Sequence, residues 1–177
     1  MKRNKSLQGF TLLEILISVG ILAIVGTLIA QVVFTTAHVN KKTKILTDIK
    51  QDGNFALDVI GWMVRSAKSI DVCEADELQI THSDNTMTTF TCVSDGVAAR
   101  IASQSAAGTA YLSGGNVTLS SSGDDNCALS SLAFSCLPAV GIKNQVTVTF
   151  TLGQVGVPGS TYESGSASFQ STISMRN

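Results

Sequence analysis

Few side chains in this sequence keep company that could do chemistry, and the most conspicuous is a carboxylate. Glu14 stands near the head of an apolar run from Phe10 to Phe34, where the other polar side chains are the mild Thr11, Ser18, Thr27 and Gln31. An ionised carboxylate costs roughly 2.5–3.5 kcal/mol at the centre of a helix in hydrocarbon, and less towards its end. A cost of that kind marks a residue with a task and calls for a partner cation. Elsewhere the chemistry is thin. A hydrolase needs a nucleophile, a base and an orienting group. Serines are plentiful, but His38 and His82 have no recognisable companions, and His82 reads as part of a hairpin face. No glycine-rich phosphate loop with a lysine is present, so ATP hydrolysis would have to come from another protein. Asp71-Val-Cys-Glu74-Ala-Asp76-Glu77 and Asp124-Asp125-Asn126 offer the oxygens Ca²⁺ takes. Neither has EF-hand spacing, and both read as solvated loops. Cys73, Cys92, Cys127 and Cys136 form no CxxC pair, so with two histidines a zinc site is not expected. The chain reads as no enzyme, with no cofactor and no metal.

The element that positions Glu14 is the apolar run itself. Its roughly 25 residues make about 37 Å of helix, enough to cross a bilayer with some tilt. A secretory signal peptide would be shorter and would carry its small-residue cut site after the run. Here Gly20, Ala23 and Gly26 lie inside it. An ordinary signal anchor accounts for the run but not for Glu14 or for the junction Gly9-Phe10. A buried helix of a soluble protein would need a polar face, and none appears between Ile15 and Ala30.

Lys5-Ser6-Leu7-Gln8-Gly9 followed by Phe10-Thr11-Leu12-Leu13-Glu14 resembles the class III signal of type IV prepilins and type II secretion pseudopilins. The resemblance covers about the first 35 residues. It implies that a membrane prepilin peptidase cuts after Gly9 and methylates the new amino-terminal Phe10. It further implies that Glu14, the fifth residue of the mature chain, governs assembly with other pilins on an inner-membrane platform. The leader would be cytoplasmic, and the bulk of the chain exported to an extracellular or periplasmic filament.

Charge and cysteines bear on the same picture. Residues 1–70 hold nine Lys/Arg against four Asp/Glu, whereas residues 71–177 hold three (Arg100, Lys143, Arg176) against nine. The acidic distal part disfavours a nucleic-acid surface, which needs clustered cations. Lys2, Arg3 and Lys5 before the run are nearly balanced by Lys41, Lys42 and Lys44 after it, so charge alone does not set the orientation. All four cysteines lie in the part to be exported, an even number suited to disulfides in an oxidising compartment. Among the three connectivities, nearest-neighbour pairing of Cys73 with Cys92 and of Cys127 with Cys136 is the expectation. Each short loop would add about 2–4 kcal/mol.

Beyond the run the helical pattern continues. Leu46, Ile49, Gly53, Ala56, Ile60, Met63, Ala67 and Ile70 step by threes and fours, which predicts one stripe on a helix running from about Thr11 to Ser69. Phe55, Val59 and Trp62 widen the stripe, so all three are expected in the core. Gly20, Gly26, Gly53 and Gly61 are expected weak points in that helix. After Asp71 the composition turns to Ser, Thr, Gly, Asn and Val. Residues 77–82 and 87–93 flank Ser83-Asp84-Asn85-Thr86 and predict a β-hairpin. Residues 96–115 are weakly patterned, with short strands at Arg100-Ile101 and Tyr111-Leu112. Residues 116–120 predict a strand, 121–128 a loop, and 129–137 a strand or tight loop. The strongest strand is 144–152; a turn region at 153–165 joins it to a closing strand at 166–175. That closing strand, with Ala56-Leu-Asp58 and Arg65-Ser-Ala67, is similar to W-type minor pilins and J-type pseudopilins.

The expected fold is therefore α+β, a long N-terminal helix packed distally on an antiparallel β-sheet. Its parts would be a leader (1–9), a transmembrane and assembly helix (10–34), an amphipathic continuation (35–70) and a β-rich globular domain (71–177). The function the resemblance implies is that of a minor pilin that primes assembly or sits at the filament tip. A minor pseudopilin of type II secretion, or an adhesin-like binding subunit whose Ser/Thr/Gly loops contact a surface, are the alternatives. Intact-mass analysis of the membrane-extracted protein should find a chain beginning at Phe10 and carrying one added methyl group. Gly9→Val should leave the precursor uncut. A mature chain beginning at Met1 in cells with active peptidase contradicts this reading.

Overall fold

The computed structural model describes residues 10–138, 144–156 and 165–176. Gly9 with the rest of the leader, and most of the 153–165 turn region, lie outside them. The chain divides into two compact units, residues 1–40 and 41–177. The first consists, where described, of the opening part of helix α1, Leu12–Ser66. Thr11 caps that helix. Its Oγ1 accepts from the Glu14 N–H at 3.3 Å, and its carbonyl accepts from Glu14 and Ile15. The Thr-x-x-Glu spacing is that of a capping box. No side chain from Leu12 to Asn40 is buried by protein.

In the second unit α1 turns one face to the core. Ile49, Gly53, Ala56, Ile60, Gly61 and Val64 are buried on it. The predicted stripe therefore holds, but its predicted widening does not. Val59 is half-buried, while Phe55 and Trp62 project into solvent. At 100° per residue Phe55 and Trp62 point about 100–160° away from Ala56 and Ile60, and among the described residues no second layer covers them. The helix ends at Ser66 rather than Ser69. The Lys68 N–H bonds the Thr81 carbonyl at 2.8 Å, and Ser69 pairs with Thr81, so the sheet takes the chain from the helix.

One antiparallel sheet was expected and two are present. The first is a five-stranded meander of β1 (Ser69–Cys73), β2 (Glu77–Thr81), β3 (Met87–Ser94), β4 (Ala99–Ser105) and β5 (Gly108–Tyr111), in sequence order. The β2–β3 hairpin turns where predicted. There Asp84 Oδ1 accepts from the Thr86 N–H, and Asn85 adopts a positive φ of 62°. The second sheet is built on β8 (Gln145–Gln154). Strand β9 (Ser166–Ser174) pairs along one side of it. On the other side β7 (Ala133–Leu137) takes residues 145–149, and β6 (Val117–Thr118) takes Gly153 and Gln154. The inner residues of both sheets, among them Leu78, Ile80, Phe90, Ile101, Val146, Val148, Phe150 and Ile173, share one core with the buried stripe of α1.

Two ties hold the sheets together and overturn the expected cysteine pairing. The bonds are Cys73–Cys136 and Cys92–Cys127, with Cα separations of 6.3 and 5.7 Å. Cys73 and Cys92 sit on β1 and β3 with β2 between them, about 10 Å apart at strand spacing, which exceeds the reach of a disulfide. What brings the true partners together is docking between the sheets. The Phe134 N–H bonds the Ala75 carbonyl, which sets β7 against the end of β1. Ser94 Oγ bonds Asp125 Oδ2 at 2.7 Å, which sets the 3₁₀ turn Cys127–Leu129 beside β3. The loops closed span 63 and 35 residues, each worth about 4 kcal/mol in the chain-entropy account, more than nearest-neighbour pairing would give.

Gly53 and Gly61, expected as weak points, are instead where β9 reaches the helix. The Phe169 ring lies directly over Gly53, so a Cβ there would fall on the ring. That ring is also stacked on Phe150, with centroids 5.2 Å apart, so moving it disturbs that contact. At Gly61 the nearest side-chain atoms to a Cβ, from Arg65 and Ile173, would stand at 3.7 and 3.8 Å, ordinary contact. The two positions therefore part company on mutation. Gly53→Ala should destabilise by about 1–3 kcal/mol through overpacking, which outweighs the gain in helix propensity. Gly61→Ala should be neutral or stabilising by up to about 1 kcal/mol. Urea titration of the detergent-solubilised full chain separates them; equal effects at both sites would contradict the packing described.

Candidate functional site at the start of the helix

Phe10 and Thr11 precede the first helical residue, and both are exposed. Glu14 lies in the first turn of α1, where amide N–H groups outnumber acceptors and the helix dipole favours a negative charge by about 0.3–1 kcal/mol. Its own N–H is taken by Thr11, and its carbonyl accepts from Ser18 Oγ at 2.7 Å. The carboxylate is exposed, and among the described residues no cation pairs with it. Phe10, four residues earlier, is about one helical turn away.

The remaining hydroxyls of the apolar stretch are dealt with internally. Thr27 Oγ1 bonds the Ile24 carbonyl, Thr35 Oγ1 that of Gln31, and Thr36 Oγ1 that of Val32, at 2.8–2.9 Å. Side-chain donors that return to their own helix leave no unmatched hydroxyl for a hydrocarbon surrounding. Glu14 is thus the charged group in the apolar stretch to Phe34, the opening of a helix long and apolar enough to cross a membrane near the N-terminus.

Among the described residues, the globular unit offers no competing constellation. Among the described residues no three His, Cys, Asp or Glu side chains converge as a metal site would require. Asp124, one of the candidate Ca²⁺ oxygens, is held by its own loop. Ser120 Oγ and Ser122 Oγ donate to it, as does the Asn126 N–H, and these bonds, that from Ser120 foremost, hold its carboxyl below the usual carboxylate range. His82 Nε2 meets Thr88 Oγ1 at 2.9 Å beside the first hairpin, where the neighbouring acid is Asp84 of the turn. A cleft of about 490 Å³ is lined by Lys42, Leu46, residues 120–123, Gly153 and Gln154, a set without an acid–base pair. The cysteines are all consumed in disulfides.

Of the residues singled out in the sequence, Phe10 and Glu14 therefore share one helix start, while Gly9 lies outside the described residues. The four cysteines belong to the separate globular unit and serve its packing. Sequence reading missed the exposure of Phe55 and Trp62. The signal available was their seven-residue spacing, which places both on one side of α1.

Residues 4–30 match the family model described as the prokaryotic N-terminal methylation motif, the type IV prepilin-like signature. No curated protein and no solved structure gives a significant match to the chain. The matched stretch takes in the leader junction, Glu14 and most of the apolar run. Together with one long helix packed on antiparallel sheets, it points to a pilin-like structural protein anchored in a membrane by a single span.

Proposed function

We propose that this chain, with its type IV prepilin-like signature, is a minor pilin of the W or J kind that primes a type IV pilus-like filament or sits at its tip. The observation that carries the reading is Glu14: an unpaired carboxylate at the capped start of a bilayer-length helix, four residues beyond Phe10. Cleavage after Gly9 would leave a cationic amine on Phe10, the missing partner for that carboxylate. A pair within one chain would form whether or not the subunit is incorporated. Pairing between neighbouring chains needs only the correct axial offset, and it relieves the cost of a charge in lipid at that offset alone. Glu14 would thus reward incorporation and set register in one step.

On this reading residues 1–9 are a cytoplasmic leader removed by prepilin peptidase, and 10–34 anchor the subunit until the inner-membrane platform extracts it. Residues 35–70 join that anchor to the globular part, 71–177, which travels to an extracellular or periplasmic filament. The similarity of β9 to the closing strand of J-type pseudopilins keeps a minor pseudopilin of type II secretion as the second reading, with the same processing and the same role for Glu14. The globular part is structural and acts without cofactor, metal or nucleic acid.

Glu14→Gln tests the assignment without removing bulk. Cleavage and membrane level should be unchanged, while recovery with sheared filaments should fall about tenfold or more, the ratio that a loss of about 1.4 kcal/mol produces. Normal recovery at an unchanged membrane level would show that Glu14 is dispensable.

A further inference from the structure

Two clefts meet at the side chain of Gln154, the last residue of β8. One, of about 490 Å³, has Lys42 of α1 on one side and the loop 120–123 on the other. The second, of about 420 Å³, has Lys44 and Asp48 of α1 in its wall. Gln154 Oε1 is shut off from water and accepts no hydrogen bond among the described residues. A buried oxygen without a donor is a standing cost to the fold. The amide can turn about its last, broad torsion to meet a donor that enters beside it.

Charge separates the two clefts. The second sets an acid beside its lysine, whereas in the first Lys42 is the one charged residue among the described lining, and no described residue pairs with it. Ser121 and Ser166 are exposed at the first cleft, with no partner for their hydroxyls among the described residues. Its other hydroxyls are engaged, since Ser120 and Ser122 both donate to Asp124. The walls depend on close backbone approaches. The Gly156 N–H bonds the Gly123 carbonyl at 2.7 Å, and a Cβ at Gly123 would fall 2.8 Å from the Gly156 oxygen. A Cβ at Gly165 would fall 2.9 Å from Ile45 Cγ2.

We propose that the first cleft binds a polyol phosphate. The phosphate lies against Lys42 and the free hydroxyls of Ser121 and Ser166, and a polyol hydroxyl donates to Gln154 Oε1. A lysine among hydroxyl donors holds phosphate as a point charge, and the orphaned oxygen calls for a ligand that also brings donors. The volume is that of a small-molecule site and exceeds what an inorganic ion fills. Such a group occurs free in solution or as the headgroup of an anionic lipid, and Lys42 follows the end of the apolar run at Phe34 by eight residues.

Phosphorus NMR titration of the full chain in a non-ionic, sugar-free detergent reads the site, with glycerol phosphate as the probe. Binding should saturate, and should be at least about tenfold tighter than that of inorganic phosphate. Lys42→Gln should weaken it about tenfold or more. Gln154→Leu should weaken it several-fold and leave the weak binding of inorganic phosphate unchanged. Its thermal midpoint should hold or rise, because the substitution removes an unpaired oxygen. No saturable binding, equal affinity for inorganic phosphate, or an affinity unchanged in either variant overturns the proposal. Nanodiscs of mixed phosphatidylglycerol and phosphatidylcholine then distinguish the sources, and either result upholds the cleft. Phosphatidylglycerol retained on the chain in native mass spectrometry, and lost in both variants, makes the ligand a lipid headgroup. Glycerol phosphate binding without that retention makes it a free solute.

Discussion

The contact on which the globular unit depends is the approach of β9 to α1 at Gly53. A helix packs against a sheet through side chains on both, and here one of the pair has none. The Phe169 ring fills the space over Gly53 while stacking on Phe150 from β8, so one aromatic ring belongs to the helix face and to the sheet at once. Around it the other helix residues of the contact are also small or aliphatic, Ala56, Ile60, Gly61 and Val64. A glycine in a helix interior costs about 1 kcal/mol against alanine. The partly buried Phe169 ring packed there offsets this, since fully burying such a side chain is worth about 1.5–3 kcal/mol.

The same helix meets a different demand in its first unit. There no protein covers the side chains, and every one from Leu12 to Phe34 is exposed. Lipid supplies the apolar surroundings but no hydrogen bonds, so the hydroxyls close on their own backbone, and the carboxylate of Glu14 is the charge left over. The helix thus satisfies itself in one unit and is satisfied by two sheets in the other. The globular unit compensates for a composition rich in Ser, Thr and Gly with ties between its layers. Besides the two disulfides, Thr118 Oγ1 donates to the Asp124 carbonyl and accepts from the Ala99 N–H, and Asp52 on α1 accepts from the Gly114 N–H at 2.9 Å. The Asp95 carboxyl, held by the Ala98 and Val97 amides and by Arg100, is likewise kept below its ordinary range, so these loop bonds persist until the solution is strongly acidic.

How much of this could be read from the sequence follows from which signals are local. The apolar run, the core stripe and the β8–β9 hairpin depend on spacing within a few turns or strands, and each was legible. Strand β4, Ala99–Ser105, was seen only at Arg100-Ile101, because Ala, Ser and Gln carry little strand preference and its partner β3 supplies the order. Strand β1 was missed because five residues at a composition change have no period to show. The split into two sheets and the disulfide pairing depend on docking between segments 35 to 63 residues apart, for which a single sequence holds no signal. Phe55 and Trp62 were assigned to the core by residue type alone. Hydrophobicity says that a side chain wants cover, not whether its own chain provides it. At the candidate site, Glu14 stands out in the sequence because an isolated charge in an apolar run has so few ordinary explanations, and Phe10 only through the resemblance of the junction before it.

The central claim is that this chain leaves the membrane as part of a filament. Immunogold electron microscopy of sheared surface filaments, using an antibody raised to the globular part, tests it most directly. The account predicts gold on filaments, at or near one end, in cells with active prepilin peptidase, and none on filaments from cells lacking this chain. Gold confined to membrane vesicles, with abundant unlabelled filaments beside them, would contradict it.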